Sequence, residues 1–216
     1  MLITISREFG AGGSRVAAHA AHALGWRLVD NDFIARVAAR AGVPEATVAA
    51  RDERAPGFRE WLLRALSRAA PDLFSPAQAS PPAEVEEAAL VRVTEGVVAD
   101  LAREGRVVLV GRAAPAVLGR KEDAIHVRVV APRAERIRTV MARHSLDPAA
   151  AERLMDDTDR NRKRYHREYY DRDWADPTHF HLVVNTALLG YDGAGEVIVD
   201  RARRLGWGSG GRQAGT

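Results

Sequence analysis

The chain has 216 residues, 46% hydrophobic and 28% charged, the composition of one ordinary globular domain. No apolar run approaches the ~18 residues of a membrane span, and there is no cysteine, so a membrane-embedded protein, a disulfide scaffold, a thiolate metal site and a cysteine nucleophile are excluded. The opening MLITISREFG lacks the pattern of a secretory leader, which makes the cytoplasm the expected location, and a net charge of +3 is too small to single out a nucleic-acid partner.

Residues 2–6 are a short apolar and β-branched run that leads through Gly10, Gly12 and Gly13 into Val16, Ala20 and Leu24 at helical spacing, with Gly25 after them. Strand, glycine loop and helix are predicted in that order. Leu28 and Val29 make a second strand ending at Asp30, and Ile34, Val37, Ala38 and Ala41 follow on a helix closed by Gly42. Two β-then-α units in succession predict a parallel sheet. Residues 44–70 read as helical with Trp61, Leu62 and Leu66 as their stripe, and the prolines of PDLFSPAQASPP make residues 71–82 a loop or hinge.

Glu84, Glu86 and Glu87 open a long helical pattern that runs through Val93, Val97 and Leu101 to Gly105. Val107–Val110 is an all-apolar strand ending in Gly111 and Arg112; residues 125–130 form another, with Pro132 at the first turn of the helix after it. Asp147 and Pro148 start a helix that runs to about Tyr170. Residues 180–184 are the last strand, Val197, Ala202 and Leu205 lie on a final helix, and the glycine-rich residues 206–216 are expected to be a disordered tail. No internal repeat is present.

A strand that passes through closely spaced glycines into a helix aims backbone N–H groups and the helix dipole at one point, which suits phosphate. Against the pattern G-x-x-x-x-G-K-[ST], the aligned residues are Arg7, Glu8, Phe9, Gly10, Ala11, Gly12, Gly13 and Ser14. The second glycine and the hydroxyl match, while the first glycine is Arg7 and the lysine is Gly13. By itself this loop reads as a tight turn or as an anion site. Lys121 and Lys163 are the two lysines against thirty arginines, so a role that needs lysine has two candidates.

Residues 156–176, DDTDRNRKRYHREYYDRDWAD, put Asp159, Arg162, His166 and Tyr169 on one helical face, with Arg160, Lys163, Arg164 and Arg167 around the rest. A solvated helix laced with ion pairs is one reading; the excess of arginine, whose planar fork fits phosphate oxygens, supports another. Arg112 directly follows an apolar strand, at the carboxyl end where open α/β sheets bind ligands. Tyr165 and Tyr169 read as packing residues, with stacking on a base as the alternative. His179 and His181 share one face, but no carboxylate or third histidine is spaced to complete a zinc site, so they read as structural or surface groups. Ser14 is not read as a hydrolase nucleophile, because there is no G-x-S-x-G elbow.

These segments resemble the cytidylate kinase-like proteins, a branch of the nucleoside monophosphate kinases. ITISREFGAGGSRVAAHAAHALGW resembles the family's opening, where a loop of the form SREFGxGG replaces the lysine-containing phosphate loop. VVLVGRAAPAVL resembles its third strand, and DRNRKRYHREYYDRDWADPTHFHLVVNT its arginine-rich lid and the strand that follows. The resemblance covers residues 1–204 and is weakest over 45–90.

The resemblance implies a three-layer α/β P-loop kinase fold with a central parallel sheet of about five strands. One domain over residues 1–205 would carry a helical acceptor-binding insertion near 44–100 and a lid near 156–178. The implied activity is ATP-dependent phosphoryl transfer to a nucleoside monophosphate, with CMP or dCMP as the expected acceptor and Mg2+ as the metal. On this reading Arg7, Gly10, Ala11, Gly12, Gly13, Ser14 and Arg15 bind the phosphates of ATP, with the Ser14 hydroxyl on magnesium. Arg112 and Asp30 face the acceptor, although Asp30, followed by Asn31, also reads as an ordinary helix cap. Asp159, Arg160, Arg162, Arg164 and Tyr165 belong to the lid, and Arg162, with Arg160 and Arg164 as alternatives, is expected to supply transition-state charge. Arg7 and Arg15 are further candidates for that charge.

Well-characterised cytidylate kinases carry a lysine where this chain has Gly13 and an aspartate where it has Ala113. The first departure bears on rate and the second on the base accepted. Two rival readings stand beside the kinase: a nucleotide-binding regulatory protein without catalysis, supported by Gly13, and an RNA- or DNA-binding protein using the arginine-rich helix. Alternating acids in that helix argue against the last. The expected partners are therefore ATP and a nucleoside monophosphate, with no membrane or nucleic acid, and the sequence carries no signal for an oligomeric state.

Overall fold

The computed structural model describes residues 1–30, 36 and 83–208. The helix expected around Ile34, the helical stretch 44–70, the loop or hinge 71–82 and residues 209–216 of the expected tail lie outside them. Two compact units divide the chain: Met1–Asp30 with Glu104–Thr216, and Asn31–Arg103.

The first unit holds a five-stranded sheet of β1 (Leu2–Arg7), β2 (Arg27–Val29), β3 (Val107–Val110), β4 (Ala124–Val130) and β5 (Leu182–Asn185). Their order is β2-β3-β1-β4-β5, and every pairing is parallel. The described helices are α1 (Gly13–Leu24), α2 (Ala83–Glu104), α3 (Ala114–Leu118), α4 (Arg133–His144), α5 (Pro148–Tyr170) and α6 (Thr186–Arg204). All of α2 except Glu104 belongs to the second unit.

The central strand β1 is buried on both faces, as a parallel strand covered on both sides must be. Ile3 and Ile5 join Val108, Val110, Ile125 and Val127 in one core that also takes in Val16, Ala20 and Leu24 of α1 and Ala194, Ile198 and Ala202 of α6. On the opposite face Leu2, Thr4, Val107 and Leu109 are buried as well, so the expected three-layer α/β arrangement with a five-stranded parallel sheet is present. Small residues let α1 and α6 approach closely. A Cβ on Gly195 of α6 would sit 2.5 Å from the His19 ring of α1.

Three local features depart from the sequence reading. β5 begins at Leu182 rather than two residues earlier, because Asp176 accepts the Thr178 N–H (2.8 Å) and folds Pro177–His179 into a 3-10 turn that uses up the preceding chain. A short α3 follows β3, with Pro115 in its first turn. Trp207, inside the stretch expected to be a disordered tail, stacks on Trp26 at 6.0 Å and donates its N–H to the Ala202 carbonyl (2.9 Å).

Candidate functional site

The loop between β1 and α1 sits at the carboxyl end of the sheet. Gly10 (φ 83°) and Gly12 (φ 77°) take the left-handed conformation that glycine adopts without strain. Side chains are also excluded by contact: a Cβ on Gly10 would sit 2.8 Å from the Arg136 carbonyl oxygen, and one on Gly12 would run into the Tyr191 ring. Ala11 is buried, and its carbonyl accepts the Thr186 hydroxyl at 2.9 Å, tying the loop to the start of α6. No side chain caps α1 at Gly12, so its first N–H groups are left facing the loop. The Ser14 hydroxyl donates to the Asp30 carboxylate at 2.7 Å, joining the first turn of α1 to the end of β2.

Cationic groups gather beside this loop. The Arg7 side chain starts against Gly13 and ends against Gly111, where a Cβ would collide with its Nη1. Burial first, and then the Arg162 charge, pull the Arg7 guanidinium down to about 10, and the charges of Asp30, Arg112 and Asp159 also act on it. It is still a cation at neutral pH. Arg112 sits in an unusual turn, because Gly111 (φ 78°), Arg112 (φ 60°) and Ala113 (φ 49°) are all left-handed. Two non-glycine residues in that region store roughly 1–2 kcal/mol each, and the strain fixes the direction in which Arg112 leaves the strand.

Arg162 reaches the site from α5, where its Nη1 donates to the Arg7 carbonyl (2.8 Å) and to Asp159 Oδ1 (3.1 Å). Burial lowers its pKa, with the Asp159 carboxylate opposing. Asp159 itself is 8% exposed. One of its oxygens accepts the Phe9 N–H (2.9 Å) and the other the Arg136 Nη1 (3.0 Å), so it bonds the glycine loop, α4 and α5 at one point. Glu8 completes the network, 3.2 Å from Arg136 and 3.7 Å from Arg128. Arg128 is buried in the middle of β4, donates to the Trp174 carbonyl (2.6 Å) and lies 4.3 Å over the Trp174 ring.

The remaining sequence candidates lie further out. Arg160 is exposed and paired with Asp157 (2.8 Å), and Arg164 is exposed with Lys163 and Arg167 on the outer side of α5. Tyr165 packs its ring 5.0 Å from that of Tyr169, its neighbour one turn on in α5. Arg15 is exposed and lies 4.2 Å over the Tyr191 ring. Asp159, Arg162, His166 and Tyr169, on one helical face by their three-and-four spacing, lie on the side that α5 turns away from solvent, Asp159 buried and the other three half-buried.

Sequence reasoning missed Glu8, Arg128, Arg136 and Tyr191 as members of this neighbourhood. For Arg128 a signal exists, a charge between valines in the middle of a strand; for the others none does, since their partners are distant in the chain. It also missed Leu188 in the first turn of α6, an apolar side chain left 82% exposed.

Two histidines are held neutral by burial. His126 Nε2 faces the Gly119 carbonyl at 2.9 Å, which can only accept, so that nitrogen carries the proton and the Thr4 hydroxyl donates to Nδ1 (2.8 Å). Its pKa is lowered, by burial first. His181, read as a structural residue, takes that role by accepting the His126 N–H at 2.9 Å. His166 lines a small cleft with Pro115, Trp174 and Phe180, and burial, then Arg128, Arg172 and His179, push it down to about 4. An unfolded chain takes up a proton near pH 6.5 that the folded chain refuses, so stability falls as pH drops from about 6.5 towards 4. His166→Gln is expected to flatten that fall in the urea midpoint, and an unchanged slope would place the acid sensitivity elsewhere.

Comparison with known proteins gives a match to the cytidylate kinase-like family over residues 2–188. No curated protein matches the chain. Among solved structures, the fold is similar to that of an uncharacterised protein from Eubacterium ventriosum ATCC 27560, at 20% identity and a TM-score of 0.63, with 94% of this chain and 98% of that one covered. A shikimate kinase from Acinetobacter baumannii in complex with shikimate also matches, at 14% identity and a TM-score of 0.46 over 94% of this chain and 91% of that one. At 20% identity the likeness to the Eubacterium ventriosum protein is one of fold. The family match covers most of the chain and takes in the glycine loop, the left-handed turn at Arg112 and the arginine-bearing helix, and the chain belongs to the cytidylate kinase-like family.

Proposed function

We propose that the protein transfers the γ-phosphoryl group of ATP to a nucleoside monophosphate, with CMP or dCMP as the acceptor, to give ADP and a nucleoside diphosphate. One observation carries this reading. A glycine loop opening a helix, a hydroxyl–carboxylate pair and arginines from β1, from the turn after β3 and from α5 converge at the carboxyl end of one parallel sheet.

In the reaction an oxygen of the acceptor phosphate bonds to the γ-phosphorus while the bond from that phosphorus to the β–γ bridging oxygen breaks, and ADP leaves with the bonding pair. No proton has to move, because the attacking phosphate is already anionic. The barrier is largely electrostatic, since two polyanions must meet, so positioned cations and N–H donors do most of the work. We assign the backbone from Gly10 to Ser14, with Arg15 at its rim, to the phosphates of ATP. Arg112 and Asp30 are assigned to the acceptor side, and Arg162 to the charge that builds up in the transition state. Asp159 positions Arg162. Arg160 and Arg164 are alternatives that would have to turn inward, Arg160 by leaving Asp157. Leu188 and Leu189 offer an apolar surface to a nucleobase, and Tyr165 stays with the lid helix.

Ser14 Oγ and the Asp30 carboxylate are hard oxygen donors side by side, the kind that Mg2+ accepts alongside substrate phosphates and water, so the pair fits that ion. When bound, magnesium would neutralise charge on the phosphates being transferred. Closure of the lid near residues 156–178 would exclude water and suppress ATP hydrolysis. The test is ADP formation from ATP and magnesium with CMP, dCMP, UMP, AMP and GMP in turn, against a control without acceptor. Turnover that depends on CMP or dCMP is expected. ATP binding without turnover on any acceptor would favour a regulatory nucleotide-binding protein, the reading that Gly13 in the lysine position supports.

A further inference from the structure

We propose that Arg7 is the phosphate-loop cation of this protein, residues 7 and 13 having exchanged the glycine and the cation of the usual loop. The proposal rests on the phosphoryl-transfer reading above and names the group that serves it. In the pattern G-x-x-x-x-G-K-[ST] the first position is glycine and the position before the hydroxyl is lysine. Here they are Arg7 and Gly13.

The geometry makes the two changes one event. A Cβ on Gly13 would lie 2.5 Å from Arg7 Cβ and 2.7 Å from its Cγ, so the stem of Arg7 fills the space in which a side chain at residue 13 would begin. A lysine there is incompatible with Arg7 in this position. At its far end the guanidinium rests against Gly111, whose missing Cβ leaves room for Nη1. Both glycines are thus explained by the path of one side chain, and that path leads from the N-terminus of α1 to the turn that carries Arg112.

The surroundings fit an anion between two substrates. Arg112 and Arg162 add positive charge close to Arg7, and Asp30 and Asp159 supply the opposing sign. Among the described residues the Arg7 guanidinium donates no hydrogen bond, while its backbone carbonyl is held by Arg162. A half-buried fork of N–H donors that no group among the described residues occupies is open to phosphate oxygens, which would satisfy it in the bidentate way that a lysine ammonium cannot. Bridging the β- and γ-phosphates from this position, Arg7 would lower the charge on the phosphoryl group as it leaves ADP for the acceptor.

The experiment uses the full chain as wild type, R7M, R7G, G13K and the exchanged R7G/G13K, with ATP and AMP affinities measured first and kcat and KM after. R7M keeps the stem that fills the space over Gly13 and removes only the charge, so it is expected to fold with an unchanged melting temperature and to lose about 10³-fold in kcat with little change in acceptor KM. G13K alone is expected to be poorly active, because lysine and Arg7 compete for one volume. The exchanged variant is expected to be at least ~10-fold faster than R7G, a gain that a merely structural role for Arg7 does not give. R7M within about threefold of wild type in kcat, or R7G/G13K no faster than R7G, would overturn the proposal. If the wild type transfers phosphate to no acceptor, the phosphoryl-transfer reading fails and the binding data decide for Arg7. A preference for ATP over AMP that R7M loses and R7G/G13K regains upholds the exchange, and a preference untouched in R7M refutes it.

Discussion

Arg162→Ala is expected to lower kcat by about 10³-fold or more while changing ATP affinity by less than about tenfold. The side chain enters from α5 and donates to the Arg7 carbonyl and to Asp159, so its guanidinium is held at the edge of the glycine loop by two fixed acceptors. Burial depresses its pKa yet leaves it charged, and Phe9 and Trp174 lie beneath it at 5.8 and 6.0 Å. A cation placed in this way costs no reorganisation when charge develops on the transferring group. Removing it leaves Asp159 with Arg136 and the Phe9 N–H, so the fold should survive and the loss should fall on the chemical step. Arg162→Lys is the informative companion: it keeps the charge but lacks the further guanidinium N–H groups that Arg162 could turn to phosphate oxygens while Nη1 stays on its two acceptors, so only part of the rate should return. A kcat for Arg162→Ala within a few-fold of wild type would remove Arg162 from the mechanism and shift the assignment to Arg7, Arg15, Arg160 or Arg164.

Asp159→Ala is expected to cost about 3 kcal/mol of stability, which for a chain of this size is a drop of roughly 6–12 °C in Tm. The carboxylate is 8% exposed and Arg136, which it pairs, is 7% exposed. Its loss leaves Arg136 with Glu8 alone and the Phe9 N–H without its acceptor, and a buried cation that loses one of its two carboxylates costs more than a missing surface pair. Asp159→Asn keeps an oxygen for the Phe9 N–H and should lose less. Both variants should also slow turnover, because Asp159 fixes the direction of Arg162. Unchanged melting in Asp159→Ala would mean that the four-residue network of Glu8, Arg136, Asp159 and Arg162 contributes little to holding α5 against the glycine loop.

Much of the fold was legible because it obeys local rules. β1 and β3 are apolar runs of strand length, α5 begins at the Asp147–Pro148 cap, where Asp147 accepts the Ala150 N–H at 2.8 Å, and Gly25 ends α1 in the left-handed conformation. The candidate site was half legible. The glycine loop, Ser14, Arg112 and the inward face of α5 follow from spacing and from position at strand ends. The ionic network does not, because sequence rules send charges to the surface, and Glu8, Arg128 and Arg136 are turned inward by partners more than a hundred residues away or across a helix pair. Nor did anything local announce that Arg112 and Ala113 would follow Gly111 into the left-handed region, since neither residue type favours it. The reason Gly13 replaces a lysine was invisible for the same cause: it lies in the path of the Arg7 side chain, which the sequence does not draw.

The most direct test of phosphoryl transfer follows the phosphorus itself, with ATP labelled at the γ-phosphate, magnesium and CMP or dCMP mixed with the full chain. Label leaving ATP is expected in the nucleoside diphosphate, one for each ADP formed, with little in inorganic phosphate. Label released only as inorganic phosphate, or retained in ATP that is demonstrably bound, would contradict it.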